Sequence, residues 1–436
     1  MRIRLLVLLL LLLTPLLAPA QYKPWYNFYN FTYGAKARAM GNAFTAVADD
    51  LTAAFWNPAG LAALRGPEFY LSYKTSSQEH EYDLQSLPGP RETRLYTRDF
   101  SSRLNQIDFF ALSAPAVILG RPCTFALGYY RYIPYGFKGS MSETLTYLYD
   151  RFDAKETTMT FSGGEGFDVL AFSAAAALSG RFFLGATLQQ FFGSGSMNFH
   201  FQDPDAQWQR QYIEKLLGRD VIVGALWTPF PFVRLGLTWH SGLRGKIESA
   251  RLSWDVDSEG REVNPAQDSC LAAVTIPAQA ALGVLLRPLP WLSLVGEYSE
   301  VDWHEGTISG YYDAASLPFP QKDSWPTAQG RVRNLRLGAE IVRPLRSWRL
   351  YFRGGAARDR QLYADVGGDP VTVSSFSAGL GCEFSPHLLV EFSYQRQRAD
   401  WLEDGFFALG ADPSTHLRAS VLYIAMTYRF GYIFKE

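Results

Sequence analysis

Hydrophobic and polar positions alternate along most of the chain from about residue 69 onward, and the alternating runs come in pairs. A very short turn joins the two runs of a pair, and a long polar stretch precedes the next pair. Because successive side chains of a strand point to opposite faces, this period of two predicts strands, and the tight turns predict hairpins. The six predicted hairpins are 107–118 with 122–134, 167–178 with 181–195, 221–228 with 232–241, 278–287 with 291–303, 334–343 with 347–357, and 374–384 with 387–397.

One further run stands at each end of this series, Glu68–Lys74 and Ala419–Phe430, so the pattern predicts fourteen strands. Within one run, Leu335 and Leu337 fall on one face and Arg336 falls on the other. A soluble all-β protein with irregular loops could show the same alternation. Most runs, however, have the ten to thirteen residues that a tilted strand needs to cross a bilayer.

Two further features favour a membrane barrel over the soluble alternative. Aromatic residues cluster near the ends of the runs, where they would form interfacial girdles. Long connectors also alternate with tight turns, as in barrels with long outer loops and short periplasmic turns. The predicted fold class is therefore an all-β transmembrane antiparallel β-barrel of about 14 strands, whose closure leaves no sheet edge exposed to lipid. The long connectors are predicted near 75–106, 135–166, 196–220, 242–277, 304–333, 358–373 and 398–418.

The N-terminus predicts the compartment. Arg2 and Arg4 precede the apolar run Leu5–Leu13, and Ala18-Pro19-Ala20 supplies small residues before a cleavage site. This arrangement is typical of a secretory signal peptide at 1–20, and its apolar stretch is short for a membrane anchor. We therefore expect a protein that is exported through a cleaved signal peptide and inserted in the bacterial outer membrane.

Composition and charge exclude several classes of function. The 41 basic and 42 acidic residues give no basic excess for nucleic-acid phosphates, so no nucleic-acid partner is expected. Three widely separated cysteines, Cys123, Cys270 and Cys382, predict neither a disulfide framework nor a metal site. No Gly-x-Ser-x-Gly elbow precedes a helix, so we expect no enzyme activity, no catalytic residue and no cofactor.

Residues 34–61, GAKARAMGNAFTAVADDLTAAFWNPAGL, do not fit the strand pattern. Small residues and interspersed turns suit a segment folded compactly inside a narrow lumen. At the level of motif, this stretch resembles the FadL/TodX-type outer-membrane transporters of hydrophobic compounds. A second stretch at 276–303, which opens with Ile-Pro and ends in Asp-Trp, is also similar to that family. The matching residues of the first stretch are Gly34, Arg38, Ala39, Met40, Gly41, Asp49, Asp50, Asn57, Pro58, Ala59 and Gly60, whereas relatives often have Gly in place of Asn42.

The resemblance implies a domain organisation and a function. Residues 21–66 would form an N-terminal segment and a hatch of short helices and turns inside a barrel made by 67–436. The chain would then be a passive transporter of hydrophobic molecules such as long-chain fatty acids or aromatic compounds. Outer loops would capture the ligand, the hatch would move, and the ligand would leave sideways through the wall. A structural or secretion-associated barrel of the same family is the alternative.

The same resemblance suggests ligand residues and partners. Aromatic and aliphatic side chains of the predicted outer loops suit capture of an apolar ligand, and we nominate Leu148, Phe152, Phe319 and Trp325. The expected partners are a hydrophobic small molecule or lipid, outer-membrane lipid, and the barrel-assembly machinery during insertion. Relatives of this architecture act as monomers.

Charged residues on the inward faces of the runs have two interpretations. They could form a polar lumen wall that is cross-linked to the hatch, or one Arg could bind a ligand carboxylate through its forked donors. The sequence does not choose among them. The inward candidates are Arg234, Arg336, Glu340, Arg349, Arg353, Glu383 and Glu391.

Overall fold

A computed structural model gives the architecture of the chain. It describes residues 32–64, 66–85, 93–134, 136, 138–149, 151–202, 207–257, 260–309, 331–364, 370–402 and 414–431. The predicted signal peptide lies outside these residues. No described helix is long and apolar enough to cross a membrane.

Short helices come first along the chain, and strands make up almost all the rest. The helices are α1 (Ala35–Ala39), α2 (Ala53–Trp56) and two 3₁₀ helices, Pro58–Ala63 and Trp303–Glu305. The strands are β1 (Glu68–Gln85), β2 (Thr93–Ile118), β3 (Arg121–Pro134), β4 (Lys138–Tyr149), β5 (Arg151–Ser179), β6 (Phe182–Gln202), β7 (Gln207–Phe230), β8 (Val233–His240), β9 (Arg244–Val256), β10 (Glu262–Thr275), β11 (Gln279–Leu289), β12 (Leu292–Asp302), β13 (Thr307–Ser309), β14 (Arg331–Leu345), β15 (Trp348–Ala364), β16 (Pro370–Ser385), β17 (Leu388–Leu402) and β18 (Ser414–Arg429).

All strands belong to one antiparallel sheet that closes on itself through β1 and β18, where Glu68 pairs with Arg429. Four wall strands consist of two consecutive segments each, namely β3 with β4, β8 with β9, β10 with β11, and β12 with β13. The wall is therefore a closed barrel of 14 strands, and the predicted fold class is confirmed.

The outer face of the wall is apolar over a band that begins at the short turns. Leu335 and Leu337 are 55% and 54% exposed there, whereas Arg336 between them is buried in the lumen. Large aromatic residues, Trp227, Phe230 and Trp348 among them, are exposed close to the short turns. This alternation follows from solvation, because lipid favours apolar side chains and the lumen accommodates polar ones.

The prediction of long polar loops is wrong for several connectors. Strand β5 has 29 residues and β2 has 26, so both run far into stretches that the sequence assigned to loops. Leu148 and Phe152, expected in a capture loop, are paired strand residues of β4 and β5. Beyond the bilayer both faces of a strand meet water, so one-sided hydrophobic alternation is lost although the strand ladder continues.

Three of the strand interruptions are neighbours at one level of the wall. They lie at 241–243, 276–278 and 303–306, where the predicted runs 232–241, 278–287 and 291–303 begin or end. The backbone N–H of Ile276 still donates to the carbonyl of Leu243, at 2.8 Å. Gly242 has a φ of +81°, and a Cβ there would meet the carbonyl oxygen of Ile276 at 2.1 Å. The interruptions therefore pack against each other, backbone to backbone.

Glycines create the space in which the N-terminal segment meets the wall. Three cross-strand pairs face the lumen, namely Gly185 with Gly224, Gly236 with Gly283, and Gly338 with Gly355. A Cβ on any of the six would stand within 3 Å of segment atoms, so side chains cannot fit. We call these pairs the glycine notches. They receive Asn57-Pro58, Thr45-Ala46 and Met40-Gly41, respectively.

The adjacent glycines of β15 allow a test of the notches. A Cβ on Gly355 would lie 2.1 Å from the backbone nitrogen of Gly41, whereas the nearest neighbour of a Cβ on Gly354 would be the carbonyl oxygen of Ser377, at 3.8 Å. We expect Gly355→Val to weaken seating of the segment by about 1–3 kcal/mol, the usual cost of overpacking. Hydrogen exchange of residues 34–61 would measure this. Gly354→Val is the control, and equal exchange in the two variants would contradict the role of the notch.

Candidate functional site

Residues 32–64 form a compact hatch inside the barrel, and nearly all of them are buried. The hatch contacts β15–β18 through α1, and it contacts β3 and β5–β7 through the 3₁₀ helix Pro58–Ala63. Gly41 and Asn42 have left-handed φ values of 65° and 64°, so Asn adopts here the backbone that Gly more often provides. The hatch thus turns sharply between its two wall contacts.

The Asn-Pro-Ala-Gly turn is fixed by the side chain of Asn57. Its Nδ2 donates to the carbonyl of Thr45 at 2.8 Å and to the wall carbonyl of Ala225 at 3.1 Å. Its Oδ1 accepts from the backbone N–H of Ala59 at 3.2 Å. Gly60 lies so close to Ala48 that a Cβ could not be placed between them. These contacts explain why the turn needs an amide followed by small residues.

A chain of ion pairs, buried except at Asp49, links the hatch to the wall. Lys36 of the hatch lies 2.8 Å from Asp49 and 3.4 Å from Glu340 of β14. Arg353 of β15 then binds Glu340 and Glu391 of β17, each at 2.7 Å. Breaking one member of such a chain would leave a buried charge unpaired, at a cost of about 3–5 kcal/mol.

The pKa values of the hatch charges reflect this pairing. Burial alone would lower the pKa of Lys36, but the carboxylates of Asp49 and Glu340 outweigh burial and raise it. Burial would raise the pKa of Asp49, and Lys36 outweighs burial and lowers it. Both hatch groups therefore stay ionised over the physiological range.

Other wall residues bind hatch backbone and side chains. Glu297 of β12 accepts hydrogen bonds from the backbone N–H groups of Phe44 and Thr45, at 2.8 and 2.7 Å. Its second oxygen lies 3.0 Å from Arg336, which also binds Asp359 at 3.0 Å. In the hatch, Arg38 donates to Gln395 and Tyr423.

The predicted inward charges therefore act mainly as cross-links. Arg336, Glu340, Arg353 and Glu391 are buried and paired with one another or with further acids. Arg234 donates to the hatch carbonyl of Val47 at 3.3 Å. The remaining two candidates, Arg349 and Glu383, form a 3.5 Å pair near the short turns.

Asp50 is the exception among the hatch charges. Its Oδ1 accepts from the backbone N–H and the hydroxyl of Thr52, at 2.8 and 2.5 Å. Its Oδ2 is buried with no hydrogen-bond partner among the described residues. Burial, reinforced by the nearby carboxylates of Glu391 and Asp49, raises the pKa of Asp50 from 3.8 to about 7.

A cavity of about 110 Å³ lies above the hatch, on the side away from the short turns. Thr45, Phe55 and Trp56 of the hatch form its floor. Its apolar wall comes largely from the ends of broken strands and their neighbours, and its polar wall from the interior faces of β6–β8, β11, β12, β14 and β15. The apolar residues are Tyr132, Phe191, Leu243, Ile276, Pro277, Val301, Trp303 and Val332, and the polar ones include Gln189, Asp220, His240, Gln279, Glu297, Asn334, Arg336 and Arg360.

Arg360 reaches the cavity through its backbone. Asp359 and Gln361, on either side of it, are buried and face the lumen, so the alternation of the strand directs the Arg360 side chain to the outer face. Its backbone N–H donates to the side-chain oxygen of Asn334 at 3.0 Å. Arg336 does face the cavity, and it is neutralised by Glu297 and Asp359.

The wall ladder is interrupted beside the hatch, between β2 and β3. Pairing between these strands ends at Phe109 and Tyr130, and β2 resumes pairing only with β4, at Arg103 and Lys138. Residues 104–108 and 131–134 are consequently not paired with each other, and we call this interruption the wall gap. The hatch reaches it directly, because the Tyr33 hydroxyl donates to the carbonyl of Arg131 at 3.1 Å.

Local distortions of both strands produce the wall gap. Asp108 occupies a bulge in β2, where its buried carboxylate lies 2.7 Å from Lys74 of β1. A second register shift between Arg131 and Ile133 displaces Tyr132 toward the cavity. Bulges bend a strand and re-aim its side chains, so the two shifts separate the strands at this level.

A second depression lies farther out on the extended strands. It has a volume of about 310 Å³ and is lined by Phe161, Phe199 and Trp254 together with Lys138, His200 and Arg210. Of the residues nominated for capture, Phe319 and Trp325 lie outside the described residues, as do the side chains of Leu148 and Phe152. The sequence missed this surface because its residues fell in stretches assigned to loops.

Metal and disulfide chemistry are not indicated by the described residues. No group of three His, Cys, Asp or Glu side chains there could hold a metal ion. Cys123, Cys270 and Cys382 are free thiols.

Comparisons with known proteins identify the fold. No family model matches the chain, and no curated protein matches it by sequence. Among solved structures, a FadL homologue of Pseudomonas aeruginosa has a TM-score of 0.60 at 17% identity, over 95% of this chain and 99% of the other. The Pseudomonas putida toluene transporter TodX has a TM-score of 0.61 at 11% identity, over 92% and 99%. The Ralstonia pickettii toluene transporter TbuX has 0.56 at 15%, over 92% and 100%.

These similarities confirm the resemblance at the level of fold. The barrel with its lumen hatch is the fold of the FadL/TodX-type transporters, as residues 34–61 indicated. The similar structures are named as transporters and hydrocarbon channels.

The raised pKa of Asp50 predicts a pH-dependent hatch. The folded state holds a proton that the free carboxyl, with a pKa of 3.8, releases, so seating weakens as pH rises from about 4 to about 7. We expect the protection factors of residues 34–61 to fall between pH 5 and pH 8 in the native protein. Asp50→Asn keeps the acceptor for Thr52 but cannot ionise, and it should reduce that fall. The same pH profile in both proteins would exclude Asp50 as its cause.

Proposed function

We propose that the chain is a passive outer-membrane channel for hydrophobic and amphiphilic molecules, in which ligand passes from the lumen cavity through the wall gap into lipid. The observation that carries this proposal is the position of Tyr132. It lines the cavity and also lies in the part of β3 that is not paired with β2, so its side chain stands between the cavity and the gap.

The packing of the hatch supports a lateral route. Directly below the cavity, the hatch fills the lumen with buried residues that are hydrogen-bonded to the wall on several sides. A path straight to the short turns would break these contacts. A path through the wall gap crosses only one interrupted ladder, and an apolar solute that enters lipid is not returned to water.

The cavity supports a ligand with an apolar body and a polar head. Apolar side chains such as Leu243 and Trp303 line one side of the cavity, and the amide side chains of Gln189, Gln279 and Asn334 line the other. Amide groups can donate hydrogen bonds to a carboxyl head. We therefore favour fatty-acid-like amphiphiles over neutral aromatic hydrocarbons as the substrate class.

The size of the cavity adds a requirement for movement. Its volume of about 110 Å³ is below the ~300–1,000 Å³ of pockets that enclose whole ligands. The resting cavity can therefore hold only part of a long-chain acid, and Phe55 and Trp56 of the floor must shift to admit the rest. The outer depression around Phe161 and Trp254 would serve as the first capture surface.

Export and assembly complete the proposal. A cleaved signal peptide at 1–20 would deliver the chain to the barrel-assembly machinery, which would insert it as a monomer. The hatch residues Gly34–Gly60 would then fold into the lumen through the contacts described above.

A bulky side chain in the wall gap tests the lateral route. A Cβ on Gly136 would lie 3.9 Å from the side chain of Leu104, so an indole at Gly136 would fill the interruption. We expect Gly136→Trp to slow dodecanoate uptake into proteoliposomes at least about tenfold while its binding affinity is retained. Gly180→Trp, at a short turn where a Cβ meets no atom within 4 Å, is the control. Uptake at the native rate by Gly136→Trp would count against exit through this gap.

A further inference from the structure

Four basic side chains form a cluster on the outside of the barrel, on the adjacent strands β7 and β9. Lys215 and Arg219 of β7, and Arg244 and Lys246 of β9, are all exposed. Arg219 is directly opposite Arg244 in the ladder, and Lys246 is opposite Leu217 between the two β7 cations. We call these four residues the rim patch.

The rim patch lacks the acids that would neutralise it. Glu248, opposite Lys215, is the single exposed acid within its ladder positions. Among the described residues, Arg244 and Lys246 have no ion pair, and Arg219 bonds only the neutral side chain of Gln190, at 2.9 Å. Like charges directly opposite in a ladder are destabilising, so an anion from outside the chain would stabilise the Arg219–Arg244 pair.

Two exposed cations of β14 are arranged differently. Arg331 binds Asp302 of β12 at 3.0 Å and Arg333 binds Glu300 of β12 at 3.2 Å. These cations are neutralised within the wall, whereas those of the rim patch are not.

The depth of the rim patch places it at the outer boundary of the bilayer. Trp227 marks the girdle near the short turns, and Arg219 lies eight residues farther along β7. At ~3.3 Å per residue and a tilt of about 40°, that separation is ~20 Å along the membrane normal, close to the ~25 Å height of an outer-membrane apolar band. Val221, Val223 and Trp239 are exposed just below the patch and would contact acyl chains.

We propose that the rim patch binds the phosphate groups of a phosphorylated glycolipid of the outer leaflet, of the lipid A type. Four cations and one acid leave a charge of about +3, which matches two phosphate monoesters at about −1.5 to −2 each. The two facing guanidinium groups can each donate a bidentate pair to phosphate oxygens. This inference rests on the outer-membrane placement in the proposed function, but not on transport or on the lumen cavity.

Lipid retention tests the proposal. The native barrel would be reconstituted in nanodiscs of phosphatidylcholine with ~10 mol% lipid A, extracted in mild detergent, and examined by native mass spectrometry for retained lipid. We expect the native protein to retain lipid A. The triple variant R219Q/R244Q/K246Q should retain at least about tenfold less of it. R331Q/R333Q, which removes paired cations from the same outer face, should retain it. Dephosphorylated lipid A should not be retained by any of the proteins.

Two results would overturn the proposal. One is equal retention of lipid A by the native protein and the triple variant. The other is equal retention by the native protein of lipid A and of phosphatidylglycerol, which carries a single phosphodiester charge.

Stability and ligand binding separate this test from misfolding and from the proposed function. Without lipid, the triple variant should unfold at the same temperature as the native protein or above it, because removing the three positive charges relieves their mutual repulsion. Lipid A should raise the unfolding temperature of the native protein but not that of the triple variant. The native protein and the triple variant should bind dodecanoate equally. A failure of the transport proposal would therefore leave the lipid A result intact.

Discussion

The backbone of the hatch touches the backbone of the wall, and this close approach is possible only where the wall has no side chains. The three glycine notches provide such places, spaced around the lumen at β6–β7, β8–β11 and β14–β15. With the hatch seated in them, Glu297 reaches two hatch N–H groups and Lys36 reaches Glu340. Without that seating, the same carboxylates would be buried and incompletely paired. The pairing of the polar lumen residues therefore depends on the steric fit of the hatch in the notches.

The closed wall has an interruption between β2 and β3 that the hatch touches, and its position links the fold to the proposed function. A backbone carbonyl facing lipid without a partner is costly, so barrels normally complete every ladder. Between β2 and β3 the ladder is incomplete, and the Tyr33 hydroxyl supplies a bond to the Arg131 carbonyl in its place. Tyr33 also packs on Phe55 of the cavity floor, with ring centroids 4.7 Å apart. A ligand that displaces Phe55 would therefore disturb the contact that holds the edge of the gap.

Much of this architecture follows from local sequence, and the remainder depends on register. Alternation and tight turns predicted the fourteen strands because the bilayer and lumen impose opposite solvents on the two faces of each run. The long strands beyond the bilayer were missed because water lies on both sides there. Gly338 and Gly355 are unremarkable in their separate runs, and only the pairing of β14 with β15 makes them a notch.

The central claim is that a hydrophobic acid occupies the lumen cavity with its head among the cavity's polar side chains and its body directed to the wall gap. A crystal structure of the protein with a terminally brominated dodecanoate tests this most directly, because the anomalous signal of bromine locates the end of the chain. We expect the carboxylate within hydrogen-bonding distance of Gln279 or Asn334 and the bromine close to Tyr132. Bromine found only on the outer strands, with the cavity above the hatch free of ligand, would contradict the account.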